Sequence, residues 1–401
     1  MLQSKVGPGI NPKSLLILGT RGVPAAHGGF ETFAERLALY LVEKGWSVTV
    51  YCQENSANGG LGQPTIEYWK GIRRVRIWTS IKGAAGTIVF DWACVCHALS
   101  EPGIPLVLGY NTAMFSALFR LKGRPVLMNM DGIEWKRAKW GLFAKAWFRI
   151  NEWCGSRIAS TLIADHPEIG KYLKEKRSKA DVATIAYGAD RIMEASTDPV
   201  VQMGLSPRAY FVVIGRIEPE NSTLEIVGAY SRRKRKYSLV CLGKFDPAGN
   251  SYHAQIKAAA NGNVVFPGAI YDKTTVRALR FHALAYLHGH TVGGTNPSLV
   301  EALGAGNAII AHDNRFNRWV AGEGQAYFSD VCTCDRIITQ FEGEPSRTEE
   351  LSRKSRRRYD ACFTWQAILK QYEILLSRYV PKSGQSVNIS NDVQSSLHGT
   401  H

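Results

Sequence analysis

The stretch HGHTVGGTNPSLVEALG, residues 288–304, decides the fold. It follows an apolar run at 283–287 that is typical of a buried strand, and it enters a predicted helix through a glycine-rich turn. Asn296 stands at the N-cap of that helix and Pro297 at its first position, where these residue types are favoured. A buried strand that turns into a capped helix is the repeating unit of α/β proteins.

The start of this predicted helix is a candidate anion site. Its free N–H groups and positive dipole end suit a pyrophosphate, so we assign ligand contacts to Thr295, Asn296 and Ser298. Glu301 lies about one turn further on, where a carboxylate can accept hydrogen bonds from both hydroxyls of a ribose. The same residues also fit a plainly capped helix with a solvated glutamate.

Two histidines at the start of the stretch raise the question of a metal site. His288 and His290 face the same side of an extended segment, but no third ligand follows at the spacing of a metal centre. We therefore predict no metal, and we assign His290 a hydrogen-bonding role in the ligand site.

Short apolar strands alternate with helical stretches on both sides of residues 288–304, which predicts an α/β fold. One series begins with a strand at 14–19 and an amphipathic helix at 31–45, and a second begins with a strand at 210–214. We place the linker at 190–208, which is rich in proline and glycine. The sequence therefore predicts two Rossmann-like domains facing each other across a cleft, with ligands at the carboxyl ends of the strands.

Two further turns follow predicted strands. In GTRGVPAAHGGFET, residues 19–32, Gly28 and Gly29 allow a close backbone approach at a helix start, although a plain tight turn explains them too. The pattern differs from the dinucleotide fingerprint GxGxxG.

After the strand at 210–214, the Arg216 guanidinium can bind a diphosphate, while a surface salt bridge is the simpler alternative.

Residues 129–141, NMDGIEWKRAKWG, place Asp131 at the end of a strand and therefore at the cleft. The continuation to Trp153 interleaves aromatic and basic residues. Such a helix suits an anionic membrane interface, with rings at headgroup level and cations on lipid phosphates. Core aromatics beside a solvated basic face explain the pattern equally well.

Charge narrows the choice of partner. The 401-residue chain carries 49 Lys and Arg against 34 Asp and Glu, a net charge of +15, which favours nucleic acid, an anionic membrane or a phosphorylated ligand. We predict no nucleic-acid partner, because the sequence lacks zinc-finger, RNP and helix-turn-helix patterns. No apolar run reaches about 20 residues, so no membrane-spanning segment is predicted. The two Cys-x-Cys pairs, Cys94 with Cys96 and Cys332 with Cys334, lack the spacing of a CxxC zinc site and are expected to be buried thiols in a reducing compartment.

Four segments together resemble glycosyltransferase family 4, and in particular its rhamnosyltransferase-like branch with the DUF1972 N-terminal domain. The resemblance covers nearly the whole chain, to about residue 379, and the motifs are specific as a set. The segments are GTRG at 19–22 with GGFETF at 28–33, DGIEWKRAKWG at 131–141, GR at 215–216 with PEN at 219–221, and HGH at 288–290 through EA at 301–302.

The resemblance implies a GT-B fold. The C-terminal domain would bind a nucleotide-sugar, with Arg216 on the diphosphate and Glu301 on the ribose. The N-terminal domain would bind the acceptor, which we assign to Glu134, Trp135 and Arg137. Transfer would retain the anomeric configuration without a metal or other cofactor, and the final helix would cross back onto the first domain.

The sequence departs from the wider family at three positions. Gly293 stands in place of the first Glu of the Glu-x7-Glu pattern, Asn221 in place of a Lys, and Asp131 in place of a His. The rhamnosyltransferase-like branch shows similar replacements. We assign catalytic roles to Arg216 and Asp131, keep Asn221 among the donor contacts, and expect Lys244 to supply a second cation for the phosphates.

The resulting hypothesis is a retaining hexosyltransferase that moves a sugar, with rhamnose as the best guess, from a dTDP- or UDP-linked donor to a lipid-linked saccharide. It would act at the cytoplasmic face of the plasma membrane in the synthesis of capsule or O-antigen. Another hexose donor, or a GT-B activity such as sugar-nucleotide 2-epimerisation, is the alternative. The expected parts are an acceptor domain at 1–195, a donor domain at 205–360, a crossing helix at 361–380 and a disordered tail at 381–401.

Overall fold

The computed structural model describes residues 11–25, 28–55, 62–137 and 140–381. Two sheets, each with apolar cores on both of its faces, form two α/β units. This confirms the predicted α/β class with two Rossmann-like domains. The tail predicted at 381–401 lies outside the described residues from position 382 onward.

The first sheet has eight strands in the order β3-β4-β2-β1-β5-β6-β7-β8, and all neighbours are parallel except β3 and β4. The strands are β1 (Ser14–Leu18), β2 (Ser47–Asn55), β3 (Thr65–Trp69), β4 (Ile72–Thr79), β5 (Ile104–Leu108), β6 (Leu127–Asn129), β7 (Thr161–Ala164) and β8 (Val182–Thr184). The helices are α1 (Gly29–Glu43), α2 (Gly83–Ala98), α3 (Ala117–Leu121), α4 (Leu142–Ile158) and α5 (Pro167–Lys176).

Alternation along β1 divides the first unit into two cores. Leu15 and Ile17 pack on one face of the sheet, with apolar residues of α1. Leu16 and Leu18 pack on the other face, with residues of α2 and α4. The period of two follows from the pleat of a strand, and burial on both faces explains why β1 is apolar throughout.

The second sheet has six parallel strands in the order β11-β10-β9-β12-β13-β14. They are β9 (Tyr210–Ile214), β10 (Ser238–Leu242), β11 (Val264–Gly268), β12 (Ala285–His288), β13 (Ala308–His312) and β14 (Ala326–Phe328). The helices from the connection onward are α6 (Asp198–Gln202), α7 (Thr223–Ser231), α8 (Ser251–Ala259), α9 (Lys273–Phe281), α10 (Pro297–Gly304), α11 (Arg315–Ala321), α12 (Val331–Gly343), α13 (Pro345–Cys362) and α14 (Trp365–Ser377).

Strand order reverses direction once in each sheet. The chain builds outward from β1 on one side and then restarts at β5 on the other, and the second sheet does the same at β9 and β12. Ligands of open α/β sheets bind outside the carboxyl ends of the strands at such switch points. We therefore expect ligand contacts from the loops after β1, β5, β9 and β12.

The last helix, α14, packs on the first unit although it follows the second in sequence. Its apolar face shares the core that contains α1, and the rings of Tyr372 and Phe33 lie 4.7 Å apart between centroids. The Tyr40 hydroxyl on α1 also donates a 2.7 Å hydrogen bond to Glu373. Helix α14 therefore connects the second unit back to the first.

The cysteine prediction was partly wrong. Cys94 and Cys334 are buried, but Cys96 and Cys332 are exposed. Both pairs lie on helices, where residues two apart point to different sides, so burial of one predicts exposure of the other. Within the described ranges, every helix is too short or too polar to cross a membrane.

Candidate active site between the two domains

Helix α10 begins at the carboxyl edge of the second sheet, after the loop that follows β12. The Asn296 side-chain oxygen accepts a 3.0 Å hydrogen bond from the N–H of Ser298, and Pro297 occupies the first turn. The predicted N-cap is thus confirmed. The free N–H groups predicted for this helix start are instead engaged, because Leu299 and Val300 donate to the Asn296 carbonyl and Pro297 has no N–H. The start of α10 therefore offers an anion the positive end of its dipole.

The N-terminus of α1 meets that of α10 across the domain boundary. Gly28 precedes α1 with a φ of 96°, a left-handed conformation that glycine adopts without strain. A Cβ built on Gly29 would lie 3.4 Å from Cγ of Pro297, an ordinary van der Waals distance, so the two helix starts are close neighbours. Tyr187 donates a 3.1 Å hydrogen bond to the Gly29 carbonyl and holds this helix start in place.

Asp165 links the domains, and it was not predicted from the sequence. It directly follows β7 of the first sheet, and its Oδ2 accepts a 2.7 Å hydrogen bond from the N–H of Thr295 in the second domain. The Thr295 hydroxyl donates to the Asp165 carbonyl. Both polar groups of Thr295 thus serve the domain contact, so it positions the loop before α10 in addition to any ligand contact.

Asp131 lies beside this contact in a left-handed conformation, with a φ of 49°. The Asn129 side chain accepts a 2.9 Å hydrogen bond from its N–H. Burial raises the pKa of Asp131, and the positive charges of Arg137 and Arg216 oppose that rise. Burial also raises the pKa of Asp165 to about 7, and the charge of Asp131 adds to the effect. The two carboxyl groups therefore form a coupled pair.

Arg216 follows β9 with its side chain 54% exposed, close to Glu218 at 3.4 Å and Glu220 at 3.7 Å. The Asn221 side chain donates a 2.5 Å hydrogen bond to the Arg216 carbonyl, and its oxygen lies 2.7 Å from Nδ1 of His290. Asn221 therefore joins the loop after β9 to the loop after β12.

His290 is a neutral group in this site. Burial lowers its pKa to about 4, and the nearby charges of Arg137 and Arg216 act in the same direction. Its Nδ1 must donate to the Asn221 oxygen, which leaves Nε2 as an acceptor in the neutral ring. The predicted hydrogen bond from His290 to a ligand stays a prediction.

The Glu301 carboxylate contacts Arg280, which, like Asp165, was not predicted from the sequence. Its Oε2 forms a 2.5 Å ion pair with the buried Arg280 of α9, while 38% of the Glu301 side chain stays exposed. Arg280 also donates a 3.2 Å hydrogen bond to the Ser298 hydroxyl, which itself donates to the Ile214 carbonyl at 2.9 Å. Ser298 therefore anchors α10 to β9, and Arg280 orients the Glu301 carboxylate.

The predicted acceptor residues divide into two groups. Glu134 is buried and pairs with Arg137 at 3.1 Å, next to the coupled carboxyl pair. The Trp135 indole N–H instead donates a 2.5 Å hydrogen bond to Glu152 of α4, and the Arg149 guanidinium lies 4.3 Å above the ring. Trp135 thus packs against α4, which separates it from Glu134 and Arg137.

The groups predicted to contact the phosphates belong to the second domain. Lys244 is exposed shortly after β10, the strand that pairs with β9 and so neighbours Arg216. Arg216, Lys244 and the start of α10 lie along the second domain, whereas Asp131 and Asp165 lie along the first. Among the described residues, no three His, Cys, Asp or Glu side chains are grouped to hold a metal ion.

Residues 12–190 match the family model described as a domain of unknown function, DUF1972. No curated protein sequence matches the chain. Sucrose-phosphate synthase from Thermosynechococcus elongatus superposes with a TM-score of 0.74 at 17% identity, over 91% of this chain and 98% of that chain.

Two further structures superpose over 91% of this chain and 100% of their own. The UDP-forming alpha,alpha-trehalose-phosphate synthase from Burkholderia xenovorans, in complex with glucose-6-phosphate, has a TM-score of 0.71 at 12% identity. HepE from Anabaena, in complex with UDP and glucose, has a TM-score of 0.71 at 15% identity. These structures are GT-B glycosyltransferases, and the chain described here has the GT-B fold.

Proposed function

We propose that the protein is a glycosyltransferase that moves a hexosyl group from a nucleotide-sugar to an acceptor hydroxyl. One observation carries the proposal: the capped start of α10, Arg216 and the Arg280-oriented Glu301 lie together on the second domain and face Asp131 of the first. The start of α10 and Arg216 would contact the diphosphate of a nucleotide-sugar, Glu301 its ribose, and Asp131 its sugar.

The donor would bind to the second domain. The positive dipole end of α10, together with Arg216 and Lys244, would neutralise a diphosphate. Glu301 accepts hydrogen bonds from the ribose hydroxyls, with its carboxylate held by Arg280. UDP in HepE from Anabaena and UDP-2-fluoro glucose in the Escherichia coli trehalose-6-phosphate structure support a nucleotide-sugar donor for this fold.

Transfer would proceed on one face of the sugar. The bond from the anomeric carbon to the phosphate oxygen breaks, and the electron pair leaves with the nucleoside diphosphate. The acceptor oxygen forms the new bond on the same face and gives its proton to the departing phosphate, which retains the configuration. The start of α10, Arg216 and Lys244 stabilise the charge that develops on the leaving group.

The first domain would supply the acceptor side. Glu134 and Arg137 lie next to Asp131, and the raised pKa of Asp131 suits a carboxyl group that hydrogen-bonds a sugar hydroxyl in a buried site. Trp135 would act indirectly, by fixing the segment that carries these residues against α4.

The finer proposal is a dTDP- or UDP-linked donor, with rhamnose as sugar, and a lipid-linked saccharide as acceptor. It rests on the motif resemblance and on α4, where Phe143 is 94% exposed and Leu142 85% exposed beside basic residues. Such a face suits the inner leaflet of the plasma membrane, where the protein would act peripherally in surface-polysaccharide synthesis.

The test incubates purified protein with dTDP-rhamnose, UDP-glucose, UDP-galactose and GDP-mannose, with and without a polyprenyl-diphosphate-linked saccharide. We expect nucleoside diphosphate release that depends on the acceptor, and a product heavier by one sugar. Glu301→Ala should abolish the signal, while Glu323→Ala, an exposed glutamate in the same domain, should not. Conversion of a donor without an acceptor would instead indicate an epimerase, and no release with any donor would refute the proposal.

A further inference from the structure

A cavity of about 230 Å³ lies at the carboxyl ends of β1 and β5, where the first sheet reverses its strand order. Its walls are these strand ends, the helix α2 and the loop at 109–116. A switch point is where open α/β sheets bind ligands. The transfer step proposed above uses no residue of the α2 wall.

The lining combines hydrogen-bonding and apolar groups. Thr20, Gln53 and Asn111 contribute a hydroxyl and two amides, which can both donate and accept hydrogen bonds. Phe90 and Val95 of α2 contribute an apolar wall. A sugar ring needs this combination, because its edges carry hydroxyls and its faces carry C–H groups.

Asp91 is the unusual residue of the cavity. It projects from α2, and its Oδ2 accepts a 2.7 Å hydrogen bond from the Thr112 hydroxyl on the opposite wall. Burial raises its pKa to about 6. A carboxylate has room for several donors, so Asp91 can accept further hydrogen bonds from hydroxyl groups of a ligand.

Size and charge restrict the ligand. Cavities for drug-sized molecules measure about 300–1,000 Å³, so a volume of 230 Å³ suits a single sugar ring. The charged lining residues are Arg21, Glu31 and Asp91, which together carry one net negative charge. A carboxylate or phosphate on the ligand would be repelled, so a neutral ring is favoured.

The cavity is close to the proposed reaction centre. β5 pairs with β6 through Leu108 and Asn129, and Asp131 follows β6. Neighbouring strands lie about 4.8 Å apart, so a ring at the end of β5 can extend a hydroxyl towards Asp131. Glu31 lines the cavity and also belongs to the first turn of α1, which faces α10.

We propose that this cavity binds one neutral sugar residue, the acceptor unit that receives the transferred hexosyl group, and that Asp91 determines its specificity by accepting hydrogen bonds from its hydroxyls. The assignment as the acceptor unit rests on the proposed function. The selectivity for a neutral ring rests on the cavity alone, and it can be measured without catalysis.

The test is ligand-observed NMR of the full chain with neutral methyl glycosides, a methyl glucuronide and glucose-6-phosphate. A ring held in such a site is expected to bind with a Kd of about 1–10 mM. With the proposed donor site filled by excess UDP, so that phosphate binding at that site does not contribute, neutral glycosides should show saturation transfer and the two anionic sugars should not. Absence of binding by every neutral glycoside at ten times that concentration, or equal binding of the anionic sugars, overturns the proposal.

Asp91→Asn is nearly isosteric and keeps an acceptor for Thr112, so the fold should survive. We expect it to weaken glycoside binding at least tenfold while the affinity for UDP stays unchanged, and Thr112→Val should act in the same direction. Asp198→Asn, at an exposed position on α6, is the matched control. Unchanged glycoside affinity in both cavity variants refutes the role of Asp91. If the wild type binds neutral glycosides but does not bind UDP, the proposed function is refuted, while the selectivity of the cavity for a neutral ring is supported.

Discussion

The N–H of Thr295 donates a 2.7 Å hydrogen bond to Oδ2 of Asp165, and this bond joins the two domains at the edge of the cleft. The loop that leads into α10 is thus held by a carboxylate from the other sheet. The second oxygen of Asp165, Oδ1, is buried without a hydrogen-bond partner in the described part of the chain. A group that is half satisfied in this way is sensitive to both substitution and protonation.

Replacement of Asp165 by Ala should destabilise the domain contact. The N–H of Thr295 would lose its acceptor, and an unsatisfied buried donor costs about 1–3 kcal/mol in the free energy of unfolding. The loop before α10 would also lose its support, so the donor KM should rise. Urea unfolding and initial rates measure both effects. Asp165→Asn keeps an acceptor and is the matched control, and equal stability of Asp165→Ala and wild type would contradict the role.

The contribution of Asp165 to the free energy of unfolding should decrease as the pH rises from about 4 to about 7. The pKa of Asp165 is raised from 3.8 to about 7 by burial and by the charge of Asp131. In that window Asp165 keeps a proton in the native protein that it has lost in the unfolded chain, so its contribution to stability is greatest below the window and is lost as pH rises through it. Asp131, with a raised pKa of its own, acts in the same direction.

The comparison of wild type with Asp165→Asn isolates this contribution. Urea unfolding at about pH 5 and about pH 8 should show a larger loss of stability in the wild type than in the variant, because the amide does not titrate. Asp91 and the other acidic groups titrate in both proteins and cancel from the difference. Identical losses in the two proteins would show that Asp165 has an ordinary pKa.

Glu301→Ala should weaken binding of UDP by about 10–100-fold, the effect of losing one or two charge-assisted hydrogen bonds to the ribose. The loss should be smaller for dTDP, because deoxyribose lacks the 2′-hydroxyl. Arg280→Lys should weaken UDP binding less than Glu301→Ala, since a lysine can still pair with Glu301 but lacks the planar guanidinium that also reaches Ser298. Calorimetric titration of wild type and the two variants with both nucleotides gives the six affinities. Equal losses for UDP and dTDP would count against a contact with both hydroxyls.

The local parts of this site were predictable from the sequence. The N-cap at Asn296, the first-turn Pro297 and the strand before them follow from neighbouring residues, and the structure confirms them. Asp165 and Arg280 were missed because each acts through a residue far away in sequence. The signal for Asp165 was present, since it is an aspartate directly after a buried strand. Its partner Thr295 is brought to it only by the approach of the two sheets.

Side-chain direction was the other information that the sequence lacked. Trp135 lies in a motif with Glu134 and Arg137, yet its indole turns to Glu152 on α4. In α4, the sequence allowed the aromatic residues to be either core or exposed. Both occur, because Phe148 faces the sheet while Phe143 faces solvent. The choice depends on which face of the helix meets the sheet, and only the packing decides it.

Activity should not depend on a divalent cation. The proposed leaving group is stabilised by Arg216, Lys244 and the start of α10, which together supply the charge that a metal ion provides elsewhere. Treatment with EDTA followed by desalting should therefore change the initial rate by less than about twofold, whereas Arg216→Ala should lower kcat by about 100-fold or more. A rate that vanishes with EDTA and returns with Mg²⁺ would show that these groups are insufficient.

The exposed face of α4 should bind anionic membranes. Phe143 and Trp153 are 94% and 57% exposed and share one face of the helix, with Arg149 and Arg157 beside them. Burial of two such aromatic rings removes about 150–250 Å² each from water, which amounts to several kcal/mol at about 25 cal/mol per Å². The double variant Phe143→Ser and Trp153→Ser should therefore reduce binding to vesicles with about 30% phosphatidylglycerol at least tenfold.

The control for this prediction is the double variant Ile66→Ser and Tyr68→Ser, because those side chains are 51% and 74% exposed on the edge strand β3, away from α4. If both double variants sediment with the vesicles as wild type does, α4 is a solvated helix and the membrane proposal is wrong, whereas a loss confined to the α4 pair assigns the contact to this face.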